Sequence, residues 1–456
     1  MKGKPLTTII LLGIFLRVIF LFHHNIWLDE SISILISRLA IPRLLSVASY
    51  DNNPPLFYLL LHFWMKVSQN PIWLRTLSLL FSTATIPAVF LLARSLANQK
   101  TAVLSSLLVA IMPAQLYYSG EIRFYSLLIL QSALLFSIAL RKNKPQGVPL
   151  TALLTATILT HYTGILGIAL AFFLIWKKSK RHIWVWITSA ALALLLSAPW
   201  ITLTLSKPHP TPWTPNPLLS VAFMPIAATT GLVGIAPPST LSLLHAALRF
   251  LIVIVGLLFL LALGAQLRTP ASKLTAIVAV ILVLLAASLF PILSPRLILP
   301  FTPLLYVFAA TFLEKSASLR LVFLTATTAI SVASFLVPMR GPLIQTALGA
   351  YRNSAFPTYH TALTTFYPTS VLRTNSDIYL GPRTFPTQMT DVIGGTPKPI
   401  ESVAENPTFT LIIDEKNTDE KTKNAIKEQL KFTHEMTKRF DADSITVQMY
   451  ERKSNP

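Results

Sequence analysis

A chain of 456 residues that is 53% hydrophobic and only 12% charged has too little charge to cover a water-soluble globule, which is usually about one-quarter charged. A soluble enzyme, a disordered protein and a coiled coil are thereby excluded, and an integral membrane protein is expected. Without Cys there is no disulfide, thiolate nucleophile, Cys zinc site or iron–sulfur cluster.

The formal charge of +20 divides unevenly along the chain. Residues 1–339 hold 24 Lys/Arg and five acids, namely Asp29, Glu30, Asp51, Glu121 and Glu314; the remainder holds 14 Lys/Arg and 13 acids. Apolar runs that read as membrane spans cover 6–22, 72–93, 101–118, 124–140, 149–160, 163–176, 183–205, 245–267, 274–290, 297–313 and 320–338. With the N-terminus inside, Lys2/Lys4, Arg94/Lys100, Arg141/Lys142/Lys144, Lys177/Lys178/Lys180/Arg181, Arg268/Lys273 and Lys315/Arg320 all become cytoplasmic. That is the positive-inside pattern. Topology thus accounts for the basic balance, and no nucleic-acid partner is expected. The runs 149–160 and 163–176 fall short of the ~20 residues a crossing needs. The first run resembles a secretory signal, but no small-x-small site precedes Phe22-His23-His24, so it reads as uncleaved.

Residues 23–71 form the first outer segment. In DESISILISRLA, starting at Asp29, Ile32, Leu35, Ile36 and Leu39 line one helical face opposite Ser33, Ser37 and Arg38, the pattern of a helix lying in the membrane interface. Pro54-Pro55 then open LFYLLLHFWMKV, which is short for a span and is expected to lie along or dip into the interface. Residues 206–244 form a second outer segment. Its KPHPTPWTPNP stretch favours a stiff, extended strap; Trp213 there suits the interfacial aromatic belt better than a sugar platform. From Arg340 the composition becomes that of a small soluble α/β domain. Strands are predicted at Ser370–Thr374, Thr408–Asp414 and Ser444–Tyr450, with a helix capped by Asn417 that buries Ile426 and Leu430. The domains are therefore 1–339 and 340–456.

Four places carry polar chemistry beside apolar spans. Asp29-Glu30 sit at the outer end of the first span. They are equally readable as a general base, with a divalent cation nearby, or as first-turn helix charges. Glu121 and Arg123, in YYSGEIRFYSLL, form either an ion pair closing a hairpin or an anion site. Arg296, with no acidic neighbour in sequence, either reaches for headgroups or meets an anion. His161, in LTHYTG, reads alone as a packing histidine. Their shared outer location suits an anionic lipid headgroup.

IWLDESISILISR, DNNPPLFYLLLHFW, YYSGEIRFYSLLIL, LTHYTG and PRLILPFTPLL occur in an order and spacing that resemble bacterial membrane glycosyltransferases of the GT-C class. The resemblance is to the glycosyltransferase family 39-like group, related to protein O-mannosyltransferases and aminoarabinose transferases, and covers about residues 1–340. It implies about 11 transmembrane helices plus interfacial helices. It also implies an inverting transferase in the plasma (inner) membrane with a polyprenyl-phosphate sugar donor, an outer active site, and a glycan, lipid or protein acceptor. On that pattern Asp29 matches the catalytic acid of the first outer loop and Glu30 its partner. Glu121, Arg123, His161 and Arg296 match positions around the site. Asn53 stands where relatives often carry His or Lys before Pro-Pro, so Lys66, Lys207 or Arg38 is a candidate for the missing cation. Two other readings stay open here: a lipid-linked-sugar flippase or transporter, and an O-antigen-type polymerase or ligase.

Overall fold

The computed structural model describes residues 4–22, 26–51, 53–141, 143, 145–207, 295–336, 358–360, 377–379, 406–414, 418–431, 433–442 and 445–453. The predicted runs 245–267 and 274–290, the proline-rich strap with Trp213, and the strand at Ser370–Thr374 lie outside these residues. Two compact units emerge. One comprises Met1–His23, Asn53–Lys207 and Thr211–Met339; the other comprises His24–Asn52, Pro208–Pro210 and Arg340–Pro456.

The first unit is helical. α1 (Lys4–Leu21) packs against α5 (Pro71–Leu96) and α6 (Gln99–Ile111). α7 (Pro113–Ser119) and a buried turn lead into α8 (Tyr125–Leu140), which packs along α5. α9 (Gly147–Ile158), α10 (Gly164–Lys178) and α11 (Ile183–Leu205) follow; α9 packs on α11 and α10 on α8. A 3₁₀ segment, Pro295–Phe301, runs into α12 (Thr302–Leu313), and α13 (Ala317–Leu336) closes the described part. The short helix α4 (Leu56–Trp64) has nine residues, too few to cross a bilayer, as the sequence predicts. At the α4–α5 corner Trp64 and Trp73 stack at 4.9 Å. Each indole N–H of the pair donates to the other residue's carbonyl at 3.1 Å.

Among the described residues, α5 and α11 are individually long and apolar enough to cross a membrane. The predicted span 101–118 is not one helix: α6 and α7 meet at Met112 with a 55° bend. Pro113 lacks the N–H that would continue the ladder, and the apolar composition on both sides concealed the break. The predicted span 297–313 likewise begins as a 3₁₀ segment, with Pro295 and Pro300 within it.

In the second unit, α2 (Leu28–Arg38) and α3 (Ile41–Ala48) pack on each other. α2 departs from the predicted amphipathic pattern. Ser33 and Ser37, assigned to the polar face, are buried with Ile32, Ile34 and Ile36. Ser33 makes this tolerable by donating to the Asp29 carbonyl at 2.9 Å. The tail contributes a five-stranded sheet ordered β2-β1-β3-β5-β4: β1 (Thr358–His360), β2 (Asp377–Tyr379), β3 (Thr408–Asp414), β4 (His434–Ala442) and β5 (Ile445–Arg452). β1 runs parallel to β2 and β3, while β5 is antiparallel to β3 and β4. Helix α14 (Glu420–Leu430) buries Ile426 and Leu430 against Tyr359, Phe409 and Leu411, as expected. Its cap is Asp419, not Asn417: the Asp419 carboxylate accepts the Thr422 N–H at 2.8 Å. These hydrogen bonds hold the Asp419 carboxyl below its usual pKa.

Candidate functional site

The two predicted carboxylates sit at the start of α2, where backbone N–H groups lack helical partners and the macrodipole favours negative charge. Trp27 is the N-cap, with extended backbone. Glu30, three residues on, is only 1% exposed; its Oε2 accepts the Trp27 N–H at 3.3 Å. Asp29, one residue earlier in the first turn, is half-buried. Adjacent helical positions do not face each other, so the two carboxylates diverge and cannot by adjacency clasp one ion. Among the described residues no group of three or more His, Asp or Glu is placed to hold a metal. The described residues do not by themselves make a metal site. At the other end of α2, partial burial lowers the Arg38 guanidinium below its usual pKa.

The remaining candidates lie in the helical unit, and three motif segments meet there. The turn between α7 and α8 is tight: the Arg123 N–H donates to the Glu121 carbonyl at 2.7 Å, closing a three-residue turn around Ile122. Burial makes every polar backbone atom of such a turn need a partner. Ser78 of α5 donates to the Arg123 carbonyl at 3.2 Å, and Ser126 donates to the Tyr118 carbonyl at 2.9 Å. The side chains of Glu121 and Arg123 are 3% and 5% exposed. The Arg123 guanidinium lies 5.3 Å from the Phe124 ring centroid, a cation–π arrangement. Phe124 in turn stacks on His161 at 4.2 Å with ring planes 16° apart.

His161 is held from its own loop. Its Nδ1 accepts the Thr163 N–H at 3.2 Å and lies 2.7 Å from Thr163 Oγ1. A neutral ring in this setting carries its proton on Nε2. The preceding Thr160 Oγ1 accepts from Gln131 Nε2 of α8 at 2.9 Å. The Leu159 carbonyl accepts the Leu56 N–H at 2.9 Å, so a free donor at the start of α4 meets a free acceptor at the end of α9. The Pro-Pro-Leu, E-x-R and THYTG motifs are thus tied together: the first to the third by this hydrogen bond, the second to the third by the ring stack. Tyr118 adds a wall to the turn, 4.9 Å from Tyr125.

Asn53 is buried directly before Pro54-Pro55. Lys207 follows the last turn of α11, its N–H donating to the Thr204 carbonyl at 3.0 Å. Arg296 has its backbone in the 3₁₀ segment that packs against α8 and α10; its side chain lies outside the described residues. The close approach there depends on Gly167, whose missing Cβ would stand 3.3 Å from Pro300 Cβ. Lys66 is exposed beyond α4. Asp29 and Glu30 belong to the other compact unit.

Sequence reasoning missed the groups that hold this region. Arg75 is buried in α5, donating to the Leu21 carbonyl at 3.1 Å. Arg17 is wholly buried in α1. A charge inside an apolar run was the available signal for both.

The family of dolichyl-phosphate-mannose-protein mannosyltransferases is matched over residues 52–202, which contain all three tied motifs. No curated protein sequence matches the chain significantly. Among solved structures, ArnT from Cupriavidus metallidurans bound to undecaprenyl phosphate superposes with a TM-score of 0.62 at 12% identity, covering 98% of each chain. The same protein in its apo state gives 0.59 at 12% identity and 97% of each chain. The Archaeoglobus fulgidus oligosaccharyltransferase in the apo form gives 0.51 at 12% identity, over 97% of this chain and 74% of that one. The fold is therefore that of ArnT, and the resemblance read from the motifs, to membrane glycosyltransferases of the GT-C class, is borne out.

Proposed function

We propose that this protein is an inverting glycosyltransferase that moves a sugar from a polyprenyl-phosphate donor to an acceptor hydroxyl at the extracytoplasmic face of the plasma (inner) membrane. The observation that carries the reading is the Arg123–Phe124–His161 column, buried at Arg123 and Phe124 and half-buried at His161, tied to the Pro-Pro-Leu segment, within a chain whose fold matches over 98% of its length a protein bound to undecaprenyl phosphate. A guanidinium fixed on an aromatic ring is preorganised for phosphate oxygens.

In this reading Arg123, with Arg296, holds the donor phosphate; Glu121 orients the guanidinium, and Asn53 and Lys207 line the same headgroup. Asp29 accepts the proton of the acceptor hydroxyl. The hydroxyl oxygen forms its bond to the anomeric carbon on the face opposite the phosphate. The bond from anomeric carbon to phosphate oxygen breaks, and the lipid phosphate leaves with the electron pair. Configuration inverts. Glu30 does not share the proton; its carboxylate is engaged with the Trp27 N–H and fixes the helix start that presents Asp29. The tail 340–456 shares the outer side with the site.

Purified protein given a polyprenyl-phosphate sugar and, separately, the matching nucleotide sugar tests the reading. Transfer is expected from the lipid donor alone. Turnover with the nucleotide sugar alone overturns it. A reporter active only outside the cytosol, fused after Pro456, is expected to be active; an inactive, stably expressed fusion reverses the topology.

A further inference from the structure

The break between α6 and α7 lies in an apolar interior where every freed carbonyl must find a donor. The Leu108 carbonyl accepts the Met112 N–H at 2.8 Å. The Val109 carbonyl is the one Pro113 leaves without an N–H, and Arg17 Nη2 donates to it at 2.9 Å. Arg17 Nη1 donates to the Ala110 carbonyl at 3.2 Å and to the Gly13 carbonyl of its own helix at 3.0 Å. Ser331 of α13 donates to the Ile111 carbonyl at 2.8 Å. The Met112 carbonyl accepts from Gln115 N–H at 2.9 Å, inside α7. All five consecutive carbonyls from Leu108 to Met112 thus have a donor, and one guanidinium from another helix serves Val109 and Ala110.

Electrostatics agree with the hydrogen bonds. A helix C-terminus carries about half a negative charge, and α6 ends here. The buried cation and the buried helix end thus attract, each offsetting part of the other's charge. Arg17 Nε continues the network to Ser82 Oγ at 2.8 Å, and Ser82 Oγ donates onward to the Gln115 carbonyl at 3.4 Å. Gln115 Nε2 reaches the Tyr306 hydroxyl at 3.3 Å. Thus α1, α5, α6, α7 and α12 are joined through one side chain and its immediate partners. What lies at the far end of α7 is the Glu121–Arg123 turn.

We propose that Arg17 is a positioning residue of the transfer site: it sustains the bend that aims α7, and with it the Glu121–Arg123 turn. This inference rests on the proposed transferase reading, and its test separates the two. Arg17→Met alone leaves carbonyls unpaired and is expected to lower thermal stability and turnover together, which any structural residue would do. The informative variant is Arg17→Met with Pro113→Ala. The restored N–H gives Val109 its own helical partner and lets α6 continue into α7 as a straight helix.

The double variant is expected to regain wild-type thermal stability within a few degrees. Its kcat/KM with a polyprenyl-phosphate sugar is expected to stay at least about 100-fold down, on the scale of misplacing a positioned group. Amide exchange over residues 117–124 is expected to quicken at least tenfold while α5 stays protected. Pro113→Ala alone, with Arg17 still holding the carbonyls, is expected to turn over within threefold of wild type. Wild-type exchange at the turn, or recovery of turnover by the double variant, overturns the inference, because Arg17 would then only satisfy carbonyls. If the wild-type protein transfers no sugar, the transferase reading fails, and the exchange measurement still decides whether Arg17 sets the turn.

Discussion

The two charged motifs are built in opposite ways. The Asp29-Glu30 pair is fixed by its own neighbours: the Glu30 carboxylate bonds three residues back to Trp27, and Ser31 and Ser33 bond four residues back at 2.9 Å. The Glu121–Arg123 turn is fixed from afar, by Ser78 on α5, by His161 beyond α9 and by the bend that precedes it. The turn shares its support among several helices, so the loss of one anchor displaces the guanidinium only in part. Substitutions should therefore act sharply and singly at α2, and in a graded, dispersed way at the turn.

The largest effect is expected for Asp29→Asn. Asn keeps the shape and leaves the Trp27 cap in place, but it cannot take a proton, and removing a general base costs on the order of 10²–10⁴ in rate. Expression, melting temperature and donor-lipid binding should persist. Turnover within a few-fold of wild type would reduce Asp29 to a helix-start residue. Next, Arg123→Lys keeps the charge but loses the planar fork and the aromatic stack. It should weaken donor use by about tenfold or more, seen mainly in KM, on the scale of one charge-assisted hydrogen bond. An unchanged KM would place the phosphate elsewhere.

Glu30→Gln sharpens the contrast within α2. Gln can still accept the Trp27 N–H, so the loss should be clearly smaller than at Asp29; the reverse order would exchange the two roles. The smallest effect is expected for Ser78→Ala. Removing the donor to the Arg123 carbonyl should cost about 1 kcal/mol of stability, the usual worth of such a bond, and slow turnover only a few-fold. A full loss of turnover there would show that the turn has a single anchor.

What the sequence disclosed follows the same division between near and far. Runs of apolar residues located α5 and α11 to within a few residues, because length and hydropathy are local quantities. β3 fell at Thr408–Asp414 as predicted, from a dense β-branched and apolar stretch. β4 was missed because HEMTKRFDA is mostly polar and is recruited by pairing with β5. The serines of α2 misled in the same manner: their burial depends on what packs over them. At the site, the motif residues were legible as types in a given order. The Phe124–His161 stack, the Leu56–Leu159 bond and the Arg17 network were not, since each joins segments distant in sequence.

Arg17 also bears on how the chain is made. Its acceptors at Ser82 and Val109 lie 65 and 92 residues further along. At about 5–20 residues per second of synthesis, α1 leaves the ribosome on the order of ten seconds before the last of them exists. During that interval the Arg17 guanidinium lacks its Ser82 and Val109 partners, and an unpaired arginine in an apolar helix costs about 2.5–3.5 kcal/mol when placed at a bilayer centre. The charge in α1 is satisfied in place only when α5 and α6 arrive.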